Sequence, residues 1–292
     1  MKPLSLSLLF VLVLAARAAV AADAGVYAIV DGEARVLRGT TWFDLVAGAG
    51  VQEGDVIDVR EGGLVQAELA RGAIVNVAGP AGLYAAALPA SGAAEWIFTR
   101  GWAKVLAAPA NPLRLRSPVL DVDLADGVLV AQLEATQAAV FVERGRAKVT
   151  LPATRGKATP AGELRDGEFA ARNGDRTPTF GDRAPLAFVT VMPRSMRDPL
   201  PKMAARFQGK SPALSPGREA SLADADAWLA GPARPAFVKR LAPRLKDAEF
   251  RAAVLARASN YPEWHRALNP EPPAADDTNR APNAEARREK EP

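Results

Sequence analysis

Carboxylate side chains form the first group in this sequence that could do chemistry. Asp121, Asp123 and Asp126 fall within six residues, and clustered carboxylates can hold Ca²⁺ or share the roles of general acid and general base. A calcium loop, however, needs more oxygen ligands at fixed spacing than this stretch supplies. Asp121 and Asp123 are two residues apart on a predicted strand, so we expect both on its solvated face, while Asp126 belongs to an Asp-Gly turn. We therefore predict no metal site and no catalytic residue here.

Imidazole and thiol chemistry is almost absent, because the 292 residues include one histidine and no cysteine. This composition excludes a disulfide framework, a zinc finger, a cysteine nucleophile and a histidine cluster that binds metal. His265 is the one imidazole, and no nucleophile motif such as Gly-x-Ser-x-Gly accompanies it. We interpret it as a surface or half-buried residue near a helix end. The sequence thus predicts no cofactor and favours a protein that is not an enzyme.

Basic and aromatic side chains supply the candidate binding residues. The basic ones concentrate on predicted amphipathic helices and could meet an anionic partner, such as phospholipid headgroups or an acidic wall polymer. Because acidic residues interleave with them, an ordinary solvated face is the alternative. If the tryptophans in the first half of the chain are exposed together, they could form a platform for sugar or peptide. If they are buried singly, they belong to the core. The candidates are Arg234, Lys239, Arg240, Arg244, Trp42 and Trp102.

The N-terminal residues predict export. Lys2 precedes an apolar run over residues 4–16, and small residues follow up to Ala22, which is the pattern of a secretory signal peptide. The run is shorter than the roughly 20 residues that span a membrane, which favours cleavage over a retained anchor. We predict a signal peptide over residues 1–22, a periplasmic location and no transmembrane segment in the mature chain. Export and a modest basic excess argue against a nucleic acid partner.

Residues 25–180 have the pattern of short β-strands. Apolar runs with a period near two alternate with turns such as Asp31-Gly32 and Arg144-Gly145. Within Leu64–Leu69 the polar and apolar residues alternate, so we expect one wet face, which carries Gln66 and Glu68, and one buried face. Strands this short and evenly spaced, without helices between them, predict a mainly β domain that is antiparallel or solenoid-like.

The pattern changes after residue 180. Six prolines between residues 181 and 220 predict an extended, proline-rich linker with at most one short helix near residues 201–207. A capping box at Ser221 and apolar residues at four-residue spacing then predict a helical module over residues 221–269. Residues 270–292 lack apolar periodicity and are predicted to be a disordered tail. The expected fold is a β domain followed by a small all-α C-terminal module.

Four motifs carry a family resemblance. They are Val51-Gln52-Glu53-Gly54-Asp55, Leu69-Ala70-Arg71-Gly72-Ala73, Ser117-Pro118-Val119-Leu120-Asp121-Val122 and the stretch from Val140 to Val149 around Arg144-Gly145. In order and spacing they resemble the FecR-like (ferric-citrate-regulator type) periplasmic domain over residues 26–180. The resemblance implies a periplasmic β domain that contacts another protein or an envelope component, and it does not imply transmembrane signalling.

These patterns lead to one main functional hypothesis and two alternatives. The main hypothesis is a non-catalytic binding, scaffold or sensing module at the cell envelope, with an unidentified envelope protein or wall component as partner. The first alternative is a carboxylate-dependent hydrolase or lyase of envelope polysaccharide, which needs two acids facing each other in one cleft. The second is an adaptor that binds an anionic membrane surface through its basic helices, with salt-sensitive binding.

Overall fold

The computed structural model describes residues 23–153, 157–257 and 262–269. The predicted signal peptide (1–22) and the predicted tail (270–292) lie outside these residues. The chain divides into two compact units, Met1–Glu219 and Ala220–Pro292. Residues 181–219 of the predicted linker (181–220) therefore belong to the first unit.

The first unit is built on a large β-sheet to which 15 strands of the described residues contribute. The strands are β1 (Gly25–Asp31), β2 (Ala34–Arg38), β3 (Thr41–Asp44), β4 (Gly50–Val51), β5 (Val56–Val59), β6 (Leu64–Leu69), β7 (Ile74–Ala87), β8 (Ala94–Ala107), β9 (Leu113–Arg116), β10 (Asp121–Leu133), β11 (Gln137–Leu151), β12 (Thr159–Leu164), β13 (Phe169–Asn173), β14 (Thr179–Gly181) and β15 (Ser215–Glu219).

Pairing between neighbouring strands is antiparallel in most of this sheet. Its main path runs β14-β13-β11-β10-β9-β8-β7-β5-β2-β3-β15, and β8 and β9 form a parallel pair. The longest pairings are the hairpins β7–β8 and β10–β11. The predicted mainly β class is confirmed. The solenoid-like alternative is wrong, because tight Gly-containing turns reverse the chain and join strands as hairpins instead of winding them into stacked coils.

The main core covers one face of the sheet and includes side chains from β1 through β13. Its largest fully buried members include Trp96, Phe98 and Tyr27. Fully burying an aliphatic or aromatic side chain stabilises a fold by about 1.5–3 kcal/mol. The alternation along β10 places Leu129 and Ala131 in this core, so the residue between them, Val130, points to the opposite face.

That opposite face, called here the outer face, carries a second and smaller core. Val130 and Phe169 of the sheet pack there with Phe188, Met192 and Met196. Phe188 comes from the short helix α1 (Leu186–Val191), Met196 from the short helix α2 (Arg194–Arg197), and Met192 lies directly after α1. A further 3₁₀ turn spans Ala204–Phe207. This region is less extended than predicted, because Pro185 and Pro193 lie directly before helices, where a missing N–H removes no helical hydrogen bond.

The second unit is helical, which confirms the small all-α C-terminal module. It contains α3 (Leu222–Leu229), α4 (Arg234–Leu241), a 3₁₀ turn (Ala242–Lys246), α5 (Ala248–Arg257) and α6 (Pro262–Leu268). The predicted capping box is present, with the Ser221 N–H donating to Asp224 at 2.7 Å. Trp228 stacks on Phe237 with ring centroids 4.8 Å apart. No helix in the described part of the chain combines the length and apolarity that a membrane crossing requires.

Candidate functional site

Buried polar side chains cross three neighbouring strands on the outer face. Gln66 of β6 lies opposite Asn76 of β7, which lies opposite Lys104 of β8. All three are at most 3 % exposed. Their immediate chain neighbours belong to the main core, so these side chains point to the outer face. Burying polar groups is costly unless they are hydrogen-bonded, so this face requires a covering partner.

Residues 195–207 of the same chain cover this face, and we call them the strap. Lys104 Nζ donates to the carbonyl of Asp198 at 3.0 Å, and Gln66 Nε2 donates to that of Pro201 at 2.7 Å. Asn76 Nδ2 reaches the carbonyl of Ser195 at 3.4 Å. Each bond joins a sheet side chain to a main-chain group of the strap. The contact therefore does not depend on which side chains the strap carries.

Two carboxylates extend this set. The main-chain N–H groups of Met203 and Ala204 donate to the Glu68 carboxylate at 2.6 and 3.0 Å. Lys104 also forms an ion pair with Glu143 of β11 at 2.9 Å. Donors and acceptors are therefore both available along the face. We call Glu68, Gln66, Asn76, Lys104 and Glu143 the polar row.

The cross-strand line continues beyond the polar row as an apolar patch. Lys104 lies opposite Val130, which lies opposite Phe141, which lies opposite Phe169. Helix α1 covers this end, where the Phe188 ring lies 5.1 Å from that of Trp102. The face thus has an apolar half covered by helices and a polar half covered by the strap.

The two predicted tryptophans occupy different environments. Trp42 of β3 is buried, and the guanidinium of Arg35 lies 5.2 Å from its ring centroid. Trp102 of β8 is half-buried beneath Phe188 on the outer face. Strands β7, β5 and β2 lie between β8 and β3 in the sheet. Trp102 therefore lies next to the polar row, whereas Trp42 lies in a different part of the sheet.

The predicted basic residues of the helical unit are mostly engaged within that unit. Arg234 forms an ion pair with Glu263 at 3.0 Å. Arg244 pairs with Asp247 at 3.2 Å, and its guanidinium also lies near the Phe250 ring. Two other candidates complete the set: Arg240 lies 5.9 Å from the ring centroid of Phe237, and Lys239 is exposed. These arginines are therefore already neutralised by ion pairs or packed against aromatic rings, which leaves them less available to an anionic partner.

Three carboxylates gather around one guanidinium elsewhere in the first unit. Arg116 lies 2.7 Å from Asp123, 3.6 Å from Glu95 and 4.0 Å from Asp121. The prediction that Asp121 lies on a solvated face is wrong, because it is 8 % exposed and accepts the Ser117 N–H at 3.3 Å. Burial raises its pKa to about 6, and the nearby Arg116 charge opposes that rise. No group of three or more metal-ligating side chains occurs within the described ranges.

The raised pKa of Asp121 predicts a specific pH dependence of stability. Its pKa rises from 3.8 to about 6 on folding, so its contribution is fully present below pH 3.8 and is lost as the pH rises through about 6. At about 1.4 kcal/mol per pH unit, the ionised form costs the fold up to about 3 kcal/mol. We therefore expect the stability of the Asp121→Asn variant, relative to the wild type, to be greater at pH 8 than at pH 4. Urea unfolding of both proteins at both pH values measures the difference. If the free energies of unfolding of the two proteins differed by the same amount at pH 4 and at pH 8, the raised pKa assigned to Asp121 would be contradicted.

A buried ionic cluster was missed at the sequence level. Asp55 closes the first of the four resemblance motifs, directly after Gly54, and it is 1 % exposed. Its carboxylate accepts hydrogen bonds from the Tyr27 hydroxyl at 2.7 Å and from Arg38 Nε and Nη2, both at 2.8 Å. Burial raises the pKa of the Tyr27 hydroxyl well above its ordinary range, and the Asp55 charge adds to this rise. The cluster fixes β1, β2 and the turn before β5 to one another.

The polar row was also misjudged from the sequence. The prediction of a wet face on β6 is wrong, because Gln66 and Glu68 are buried beneath the strap. A usable signal existed in β8, where Lys104 interrupts an apolar stretch within Trp102–Leu106. A lysine at such a position needs a buried partner or an additional covering layer.

Fold and site together define a mainly β protein that holds an extended chain segment on one sheet face. No family model matches the chain, and no curated protein matches it. Two crystal structures of a "putative anti-sigma factor" from Parabacteroides distasonis are similar to it at 17 % and 18 % identity, each with a TM-score of 0.37. The match covers 44 % of this chain and 59 % of those chains. Likeness at this level does not establish a shared function, and the FecR-like resemblance stays a prediction.

Proposed function

We propose that the protein is an exported, non-catalytic binding module of the cell envelope, of the FecR-like type, and that its first unit holds a protein partner. One observation carries the proposal. The polar row binds a chain segment through main-chain groups: Lys104 and Gln66 donate to carbonyls of its extended part, and Glu68 accepts two N–H groups where the 3₁₀ turn begins. Recognition of this kind suits polypeptide ligands, because every extended segment presents the same main-chain groups. Export rests on the signal-peptide pattern in the sequence.

The hydrolase alternative has less support. A glycosidase needs one carboxyl group that protonates a leaving group and a second that acts as base or nucleophile across an open cleft. Here Glu95, Asp121 and Asp123 all approach one guanidinium, and Glu68 is occupied by two N–H donors. These carboxylates work as hydrogen-bond and ion-pair partners.

The membrane-adaptor alternative also has less support. It needs several free cations on one helical surface. Arg234 and Arg244 form ion pairs within the helical unit. Among the four predicted basic residues Lys239 is the exposed one, and one lysine contributes only about 1 kcal/mol near an anionic surface.

The proposal is tested by photo-crosslinking in intact cells. A photo-reactive amino acid is placed at Lys202 in the strap, at Lys239 in α4 and, as a control in the first unit, at Lys148 of β11; all three side chains are exposed. We expect a protein adduct from position 202 of the exported chain and none from 148 or 239. Adducts confined to position 239, or made with lipid, would refute the proposal in favour of the adaptor. Release of the exported mature chain by osmotic shock checks the location.

A further inference from the structure

The strap leaves part of the polar row unsatisfied. Gln66 Oε1 and Asn76 Oδ1 are buried and have no hydrogen-bond partner among the residues that the structure describes. The nitrogen atoms of the same two amides both donate to strap carbonyls. A buried polar atom without a partner costs about 1–3 kcal/mol. The polar row therefore offers two acceptors that its present occupant does not use.

A proline in the strap explains the unused acceptor on Gln66. In an extended chain, the N–H and C=O of one residue point to the same side. The carbonyl of Pro201 faces Gln66, so an N–H at position 201 would face the same amide. Pro201 and Pro199 have no N–H to donate. A segment without prolines could occupy this path and form hydrogen bonds that the strap cannot form.

Beyond Met196, the strap is weakly anchored by burial. Upstream, Phe188, Met192 and Met196 are buried against the sheet. From Arg197 to Glu219 every side chain is exposed or half-buried. The hold on residues 197–207 thus depends mainly on hydrogen bonds, each of which contributes about 0.5–1.5 kcal/mol net. Segments with few buried apolar contacts open locally at low free energy.

Building on the proposed function, we propose that the polar row is a docking site for an extended, proline-free segment of a partner protein, and that residues 197–207 are a built-in competitor which the partner displaces. The incoming segment places carbonyls at Lys104 and at the amide nitrogen of Gln66, while the Asn76 nitrogen keeps the Ser195 carbonyl of the anchored α2. Its N–H groups pair with Glu68 and with the two amide oxygens that the strap leaves unpaired. Anchoring of α1 and α2 keeps the displaced strap close to the site, so it returns when the partner leaves.

A defined peptide tests the docking site. The probe is a fluorescently labelled peptide of residues 195–207 with Pro199→Ala and Pro201→Ala, and the control probe keeps both prolines. The receptor is the mature full chain, either intact or with residues 197–207 replaced by a Gly/Ser segment of equal length. Because an intramolecular competitor has a high effective concentration, we expect the probe to bind the replaced chain about tenfold or more tightly than the intact chain by anisotropy. We expect the control probe to bind about fivefold less tightly than the probe.

Two further results decide the inference. Adding Glu68→Gln to the replaced chain should weaken probe binding about fivefold, because the charged acceptor for two N–H groups is lost. Equal affinity of the probe for the intact and replaced chains would overturn the proposal. If the replaced chain does not fold, the intact chain is used, and excess probe should accelerate tryptic cleavage after Lys202, read by mass spectrometry. An unchanged cleavage rate would overturn the proposal as well.

The outcome separates this inference from the proposed function. Probe binding as expected, without any protein crosslink from position 202 in cells, leaves the docking site standing and refutes the proposed envelope role. A protein crosslink in cells, with a probe affinity that does not depend on the strap, supports the envelope role and refutes displacement.

Discussion

Replacing Asp55 with Ala is expected to destabilise the first unit by about 3–5 kcal/mol, because removing one partner of a buried ion pair leaves the other charge uncompensated. In the wild type, the Asp55 carboxylate accepts from Tyr27, from two nitrogens of Arg38 and from the Gln52 N–H. Without it, the buried Tyr27 hydroxyl loses its acceptor, and the half-buried Arg38 guanidinium keeps only the Gly50 carbonyl and loses its counter-charge. Urea unfolding followed by far-UV circular dichroism measures the change in the free energy of unfolding.

Asp58 provides the matched control, since it lies in β5, three residues after Asp55. Its carboxylate bonds Arg35 at 3.0 Å and approaches Arg60 and Arg100 at greater distances, and its side chain retains 18 % exposure. Partly solvated pairs contribute about 1 kcal/mol or less, so Asp58→Ala should cost about that amount. Equal losses for Asp55→Ala and Asp58→Ala would contradict the role assigned to the buried cluster.

Gly127→Ala is expected to cost about 4 kcal/mol or more, of which the positive φ accounts for about 1–3 kcal/mol and distortion of the hairpin for the rest. Gly127 of β10 lies opposite Gly145 of β11, and both have positive φ, +120° and +98°. A Cβ atom at position 127 would overlap the carbonyl oxygen of Arg144. Because that carbonyl is part of the backbone, the two strands must move apart to admit the methyl group.

Gly72→Ala separates backbone strain from the overlap. Gly72 also has a positive φ, +88°, but an added Cβ would meet no heavy atom within 4 Å. The free energy of unfolding of this variant should fall only by the cost of the strained backbone conformation, about 1–2 kcal/mol. Thermal unfolding of both variants beside the wild type gives the comparison. A loss for Gly127→Ala no larger than that for Gly72→Ala would show that the hairpin tolerates the methyl group.

Local sequence signals predicted much of the fold. Asp31-Gly32 lies in a bend with positive φ at the glycine, and the runs beside it are strands. The prediction of turns at Asp126-Gly127 and Arg144-Gly145 is wrong, because these pairs lie inside β10 and β11, where the two glycines face each other. The helical unit was predictable from its capping box at Ser221 and from apolar spacing. These features depend on residues close in sequence, which is why a single chain reveals them.

The site could not be predicted in the same way, because its partners are far apart in sequence. Gln66 bonds a carbonyl 135 residues away, and Lys104 bonds one 94 residues away. An alternating strand shows which residues share a face, but not whether a later segment covers that face. Asp55 likewise depends on Tyr27, 28 residues earlier. Covering layers and buried ion pairs are set by tertiary packing, which local periodicity does not encode.

Amide hydrogen exchange of the intact mature chain most directly tests the claim that the outer face holds an extended segment by hydrogen bonds more than by burial. The N–H groups of Met203 and Ala204, which donate to Glu68, should be protected yet exchange through local opening. Their opening free energies should lie several kcal/mol below those of Val75 and Val105 in the core strands β7 and β8. Exchange of all four amides only through global unfolding, at one common free energy, would contradict the account.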